Sequence, residues 1–540
     1  MAGTTTSTTR RHAAALAAAG LLSASAWAQA PRPDDCESLS QGFQAPDTRI
    51  TSARRVAEVA SGAQSAPAHC DVRGTIRGNI KFAVWLPTTT WNGRFQMVGN
   101  GGKAGVISFD AMRAAIRAGY ASSSTDTGHD NAIPAEAASG FGNDALFGKE
   151  REIDFGYRAV HLTAGVSKAV VSAFYGRAAS RSYWNGCSTG GRQGLMQAQR
   201  YPEDFDGYVI GAPVYDYTGA QMGAPVSLGA LYAAVPPVAP GDGPFISPAK
   251  RDAIGRVVYE GLGDFKGCDA EDGLKDGEIR DPYACSFDID KHVPNCADGA
   301  DTGACLTPKE RDALRRVYAG REPFVPRTAP GSESIPGGWN PWLIPNDRKA
   351  LPVLHSVVGD SMEWLMFTPD RPGFNYFTQF DWSRDPFLMD EAAKIYSAKS
   401  PDLRRVQAAG GKIIMYHGYQ DTPAHPIRSI RYRQSVIDFM AAQRSSDPAA
   451  PSGEAATDGF LRLFMVPGMG HCGGGVGHSN IDWMTPLARW VETGAAPDAI
   501  LGRKPGTQST RPHCAYPQVA VYDGRGDPAA ATSFSCGLPR

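Results

Sequence analysis

The 540-residue chain has no surplus of charge of either sign. Its 54 Lys and Arg stand against 55 Asp and Glu, a formal net charge of −1. That balance excludes a strong attractive field for nucleic acid, so no nucleic-acid partner is expected, and a neutral or weakly charged small molecule is the partner left open. Long apolar runs are also lacking. The run from Ala13 to Ala26 falls short of the ~20 residues that cross a bilayer, so no membrane span is expected. Neither heptads nor an internal repeat occurs, which excludes coiled coils and solenoids. No CxxC pair is joined by a second such pair or by paired histidines, which excludes the common zinc frameworks. With 42% apolar and 20% charged residues, composition is that of a globular chain, and an intrinsically disordered one is excluded.

Among what is present, the first residues read as an export signal. Arg10 and Arg11 precede the Ala- and Leu-rich run, and Ala26-Trp27-Ala28 offers a small-x-small cleavage site. Ala28-Gln29-Ala30 is a second candidate, disfavoured because Pro31 would follow the cut. Residues 1–28 are therefore expected to be a signal peptide and the mature chain to be periplasmic or secreted. Ten cysteines then argue for disulfides in an oxidising compartment. Sequence neighbours suggest Cys36–Cys70, Cys268–Cys285, Cys296–Cys305 and Cys514–Cys536, which leaves Cys187 and Cys472, far apart in the chain.

Segments 81–87, 94–98, 182–185, 208–210, 412–416 and 461–466 read as strands bounded by turn residues. Residues 154–175 and 192–200 carry helical periodicity. Alternation of this kind implies an α/β fold with a mostly parallel sheet and helices on both faces. The pattern breaks between about Tyr217 and Lys399, where Pro, Gly, aromatics and four cysteines accumulate. The expected organisation is a discontinuous core, 29–216 and 400–540, interrupted by an inserted domain at 217–399.

Gly186-Cys187-Ser188-Thr189-Gly190 matches G-x-S-x-G, the turn that exposes a serine at the top of an α/β-hydrolase sheet. The pentapeptide alone is a weak signal. Here a strand precedes it and a helix follows, so the Thr189 N–H would face a developing oxyanion at a helix N-terminus. A hydroxyl needs a base. His471, in a Gly-rich loop after the last strand, is the candidate, with His417, His425 and His478 as rivals. In this fold the orienting acid lies between nucleophile and base in sequence, and Asp421 fits. Cys187 and Cys472 directly adjoin Ser188 and His471, and a bond between them would hold the α-carbons within about 4.4–6.8 Å. The loop 98–105 (VGNGGKAG) is the candidate second oxyanion element, through Gly102 or its neighbour Gly101.

Taken together, Cys-Ser-Thr-Gly-Gly at 187–191, His-Gly-Tyr-Gln-Asp at 417–421, Gly-His-Cys-Gly-Gly at 470–474 and Trp-Asn-Gly-Arg-Phe at 91–95 resemble the tannase and feruloyl esterase family, over about Cys36 to Cys536. The resemblance implies a disulfide between Cys187 and Cys472 and a lid formed by the insertion. It implies two-step acyl transfer by Ser188, His471 and Asp421 on phenolic esters, feruloyl esterase-like, without an organic cofactor. Galloyl esters and a terephthalate monoester are alternative substrates within the family. A lid arginine expected for the terephthalate carboxylate has no counterpart in Ser361-Met362-Glu363-Trp364-Leu365. The loop 268–279 clusters hard oxygen donors as Ca²⁺ requires. Matched to the family's site, Asp269, Asp272 and Asp276 would supply carboxylates, and Leu274 and Glu278 backbone carbonyls, to a structural calcium ion. Among the aromatics of 339–382, Trp364 and Phe367 are the expected pocket contacts. A serine peptidase is the rival within hydrolases, and an inactive phenolic- or glycan-binding protein the rival outside them.

Overall fold

A computed structural model describes residues 35–539, apart from 237, 238, 240, 241, 298, 299 and 444–450. The expected signal segment 1–28 lies outside the described residues. A nine-stranded sheet organises the rest: β1 (Thr48–Val56), β2 (His69–Ile76), β3 (Ile80–Pro87), β4 (Arg94–Val98), β5 (Ala121–Thr125), β6 (Arg181–Cys187), β7 (Gly207–Gly211), β8 (Lys412–Gly418) and β9 (Leu461–Val466). Its strand order is β1-β2-β3-β5-β4-β6-β7-β8-β9. The first three strands and the β3–β5 pair are antiparallel, and every pair from β5–β4 onward is parallel.

The parallel part explains the apolar runs. Val209 and Ile210 of β7 and Ile413, Ile414 and Met415 of β8 are all fully buried, because helices cover both faces of such a sheet. Strand β5 was not legible, since its sequence is Ala-Ser-Ser-Ser-Thr. All five residues are nevertheless buried, with β3 on one side and β4 on the other. Ladder hydrogen bonds and small size, rather than hydrophobicity, fit this strand to the interior.

The helix expected from residue 154 is regular over Ala159–Tyr175 and ends at Gly176 in the left-handed conformation (φ 68°). Its first part, Asp154–Arg158, is a π turn. There the buried Asp154 accepts from Arg158 Nε at 2.6 Å and Asn79 Nδ2 at 2.7 Å.

Strands β7 and β8 are neighbours in the sheet, yet residues 217–399 run between them without contributing a strand to it. Buried residues of this segment, including Leu228, Leu231, Ile254, Val258, Leu314, Val317 and Trp339, share one apolar cluster with Ala104, Phe141 and Phe155 from earlier in the chain. The helix Pro308–Ala319 shows how sequence sets a boundary here. Thr307 and Glu310 form a reciprocal capping box, Pro308 sits at the first helical position, and Gly320 ends the helix.

All five disulfides form with the expected partners: Cys36–Cys70, Cys187–Cys472, Cys268–Cys285, Cys296–Cys305 and Cys514–Cys536. Among the described residues no helix is long and apolar enough to cross a membrane.

Candidate active site

Ser188 stands between β6 and the helix Thr189–Arg200, with φ 62° and ψ −122°. A side-chain-bearing residue at positive φ is strained, and here the surroundings hold it. The Ser188 N–H donates to Gly211 O at 3.0 Å. A Cβ on Gly186 would lie 2.6 Å from Gly190 O, and one on Gly191 would lie 2.3 Å from Gly211 O. Glycine is therefore required on both sides of the serine by contact with backbone, which cannot give way.

The loop after β4 meets this turn backbone to backbone. A Cβ on Gly99 would stand 2.7 Å from Gly190 Cα. The buried Asn100 fixes the approach: its N–H donates to Gln193 Oε1 at 3.1 Å, and Gln193 Nε2 returns a bond to Asn100 Oδ1 at 3.0 Å. The Thr189 hydroxyl donates to Gly102 O, joining the two residues whose N–H groups are the oxyanion candidates. Gly102 has φ 55° and lines the same cavity as Ser188, Thr189 and His471, whereas Gly101 is not part of that lining. Lys103, buried, bonds Asp360 and Ser356 O of the intervening segment, and Asp360 also accepts from Ser139 N–H at 2.8 Å.

Gly99→Ala should act as a wedge between these two backbones. We expect kcat to fall by about 10²-fold, the cost of misplacing an oxyanion donor, with a smaller change in KM. Wild-type kcat in the Gly99→Ala enzyme would show that the contact does not position the donors.

His471 reaches the site on the loop after β9. Its Nδ1–H donates to Asp421 Oδ2 at 2.7 Å, leaving Nε2 for the serine. The ring's bond in this arrangement is to Asp421, and both His471 and Ser188 line one cavity. Asp421 is fully buried. Burial alone would raise its carboxyl, but the imidazoles of His471 and His417 outweigh burial and hold it well below the ordinary carboxylate range. His417 Nε2 lies 3.3 Å from Asp421 Oδ2 and 2.9 Å from Ala424 O, so this former rival for the base sits behind the acid and steadies it. Neither of the other rivals is among the described residues lining the cavity that holds Ser188. Burial, then the Arg428 charge, push His425 down to about 3, and His478 Nδ1 lies 2.7 Å from Glu278 Oε1. The Cys187–Cys472 bond, with α-carbons 5.9 Å apart, ties the residue before Ser188 to the residue after His471.

The cavity, about 540 Å³ including its mouth, is lined further by Val214, Tyr217, Ala220, Gln221, Trp342, Leu354, Val357, Val358 and Pro423. The expected aromatic contacts require correction. Phe367 is buried within the intervening segment, 5.3 Å from Phe374 and under the Arg371 guanidinium. Trp364 is half-buried with its carbonyl against Gly142, and neither lines the cavity. Trp342 takes that place, edge-on to the His471 ring at 5.2 Å. Nothing in its spacing set it apart from the other aromatics of 339–382.

On the acidic loop, Asp269 accepts from the N–H groups of Asp276 and Gly277 at 3.2 and 3.1 Å, and Asp272 from Leu274 N–H at 3.0 Å. Asp276 pairs with Arg511 at 2.9 Å. Burial, with the Asp276 charge adding to it, raises both the Asp269 and the Asp272 carboxyls. Among the described residues no three acidic, His or Cys side chains are grouped as metal ligands. The donor chemistry suits a hard cation, while the side chains are turned to the loop's own N–H groups.

Fold and site together define an α/β-hydrolase-like protein with a serine, histidine and aspartate gathered at the carboxyl ends of parallel strands. The family model described as tannase and feruloyl esterase matches residues 65–537, and the chain belongs to that family of carboxylic ester hydrolases. It is 32% identical, over 93% of its length and 92% of the relative's, to mono(2-hydroxyethyl) terephthalate hydrolase of Piscinibacter sakaiensis. A probable feruloyl esterase B-2 of Aspergillus terreus is 28% identical, covering 94% of this chain and 89% of that one. Among solved structures, feruloyl esterase B from Aspergillus oryzae superposes with a TM-score of 0.76 at 27% identity, over 93% of this chain and 99% of that one. The tannin acyl hydrolase of Aspergillus niger shares the fold, with a TM-score of 0.69 at 21% identity over 92% and 93%.

Proposed function

We propose that the protein is an exported serine carboxylic ester hydrolase acting on esters of phenolic aromatic acids, feruloyl esterase-like. The observation that carries this reading is the 2.7 Å bond from His471 to a buried, ionised Asp421, in a cavity that also holds Ser188 at a strained strand-to-helix turn. His471 Nε2 takes the Ser188 hydroxyl proton as Oγ attacks the ester carbonyl carbon. The carbonyl oxygen becomes an oxyanion that accepts from the N–H groups of Thr189 and Gly102. Collapse breaks the ester C–O bond, His471 protonates the departing alkoxide, and the acyl group stays on Ser188. Water, deprotonated by His471, then adds to the acyl carbon; collapse breaks the acyl C–O bond to Ser188, releases the acid, and His471 returns the proton to Ser188 Oγ.

Ser188→Ala is the test. On methyl ferulate, methyl gallate and mono(2-hydroxyethyl) terephthalate, we expect turnover of at least one ester, reduced about 10⁵-fold or more in the variant. A serine-reactive phosphonate should label wild type alone. Turnover that survives the substitution, or no turnover and no labelling, would overturn the assignment and favour the binding-protein alternative. Five disulfides in the mature part support export.

A structural Ca²⁺ on the 268–279 loop belongs to the same reading, held by Asp269, Asp272 and Asp276 with the carbonyls of Leu274 and Glu278. A cation there would offset the burial, and the nearby Asp276 charge, that raise the Asp269 and Asp272 carboxyls. Removing it with a chelator should lower the melting temperature and restoring Ca²⁺ should recover it, since saturation at ~100-fold over Kd contributes about 2.7 kcal/mol. An unchanged melting temperature with no calcium in the purified protein would refute the site.

A further inference from the structure

The oxyanion loop is fixed at both ends and open between them. Upstream, Asn100 is held by Gln193. Downstream, Gly105 N–H donates to Asp126 O at 3.0 Å, and Asn131 Nδ2 donates to Ala104 O at 2.8 Å. A Cβ on Gly101 or on Gly102 would meet nothing within 4 Å, so no packing pins the stretch that carries the second oxyanion donor. The turn closes on itself through Ala104 N–H to Gly101 O at 3.0 Å. That bond keeps its shape and leaves its position to be set from outside. Catalytic donors must be held to about 0.5 Å by bonds from surrounding residues. One such bond is the Thr189 hydroxyl to Gly102 O. The other comes from the next side chain, Lys103.

Lys103 is 8% exposed, a burial that lysine accepts only when paired. Its ammonium donates to Asp360 and, at 3.1 Å, to Ser356 O. Burial pushes the ammonium down and the Asp360 charge opposes it, so the cation depends on that carboxylate. Asp360 is anchored in turn. Its other oxygen accepts from Ser139 N–H at 2.8 Å, and the neighbouring Ser361 Oγ lies 3.0 Å from Ser139 Oγ. Ser356 and Asp360 bracket the end of the helix Val353–Val358. Leu354, Val357 and Val358 of that helix form one wall of the cavity that holds Ser188. A side chain of the oxyanion loop therefore grips the element that walls the cavity, from 257 positions away.

We infer that Lys103 is a positioning residue for the oxyanion: its bond to Asp360 joins the cavity wall at 354–358 to the Gly102 N–H, so that wall and donor are held as one body. This rests on the serine esterase reading. It goes beyond it by giving control of the donor's place to a side chain that touches no reacting atom. Without the grip, Gly101–Lys103 would keep the Thr189 bond alone between the two fixed points. A donor that drifts loses its worth in the transition state, where the oxyanion exists, and costs little in the ground state. The loss should therefore fall on kcat and spare KM. A staple that serves the fold alone would instead lower the melting temperature and leave kcat intact.

The test measures hydrolysis of p-nitrophenyl acetate, and its inhibition by trifluoroacetophenone, for wild type, Lys103→Met, Asp360→Asn and the double variant, well below each melting temperature. Ser188 Oγ adds to the ketone carbon and the ketone oxygen becomes an oxyanion in the place of the ester's, so the inhibition constant reads the donors directly. Lys103→Met should lower kcat by about 10²-fold, leave KM within about threefold, and weaken the ketone by a factor similar to the loss in kcat. Asp360→Asn should act alike, and the double variant should be no slower than the worse single one, because the two groups work as one pair. Lys103→Met removes the buried charge and keeps its bulk, so it decides the matter even where Asp360→Asn, which strands that charge, fails to fold. Wild-type kcat in Lys103→Met would overturn the inference, as would a slower enzyme that binds the ketone as tightly as wild type, or losses that add in the double variant. Ser188→Ala, run alongside, separates the two levels. Hydrolysis that it abolishes, with wild-type kcat in Lys103→Met, removes this inference alone, whereas hydrolysis that survives in it removes the esterase reading beneath.

Discussion

Asp421→Asn should lower kcat by about 10⁴-fold while leaving the fold and KM little changed, the size of effect seen when the acid of such a triad becomes an amide. The carboxylate is wholly buried and sits between two imidazoles, His471 at 2.7 Å and His417 at 3.3 Å. It also accepts from Ala424 N–H at 2.8 Å. Burial disfavours its charge, and the two rings more than offset that. An amide is nearly the same shape, so packing survives. What changes is the proton on His471. An amide NH₂ turned toward Nδ1 would stabilise the tautomer with its proton on Nε2, which cannot accept from Ser188. The check is single-turnover acylation with a chromogenic ester, beside thermal melting of both proteins. A loss below about tenfold with melting unchanged would mean that Asp421 does not orient the base, and His417 would need re-examination as part of the relay.

Removing the Cys187–Cys472 bond, by the paired change Cys187→Ala and Cys472→Ala, should cost both stability and rate. The cysteines are 285 residues apart, and closing a loop of that size in the unfolded chain is worth about 5.6 kcal/mol in the chain-entropy model. That figure is a ceiling, since other disulfides and residual structure already restrict the unfolded chain. The rate effect has a different origin. Ser188 sits at φ 62° and Cys472, the residue after His471, at φ 65°, so the nucleophile and the turn beside the base are held in backbone conformations that side-chain-bearing residues rarely adopt. Without the bond, the Gly-rich loop of His471 can drift, and a displacement of about 1 Å costs on the order of 10²-fold. Measured well below the melting transition, kcat of the double variant should fall by at least that factor. A destabilised enzyme with unchanged kcat would make the bond a staple and nothing more.

The proposed triad and the disulfide beside it were legible because each rests on local pattern and chain order. G-x-S-x-G needs only adjacent residues, the order Ser, Asp, His follows from the fold, and two cysteines abutting Ser188 and His471 had no closer partners. The parallel strands were legible because burial on both faces makes them continuous apolar runs. Strand β5 was not, since its serines and threonine give no hydrophobic signal and are buried only because β3 and β4 flank them.

What sequence determined by itself is the family and the candidates for its chemistry: a serine at a strand-to-helix turn, a histidine, an aspartate and an even set of ten cysteines, read from residue types and chain order. Tertiary structure alone decided which side chains surround the substrate. Trp342 faces His471 while Trp364 and Phe367 do not, although all three lie in one aromatic-rich stretch. His417 became a support for Asp421, and Lys103 was bound to Asp360, 257 positions away. The reason is that a pocket wall is assembled from segments distant in sequence, and no local spacing carries information about which faces meet.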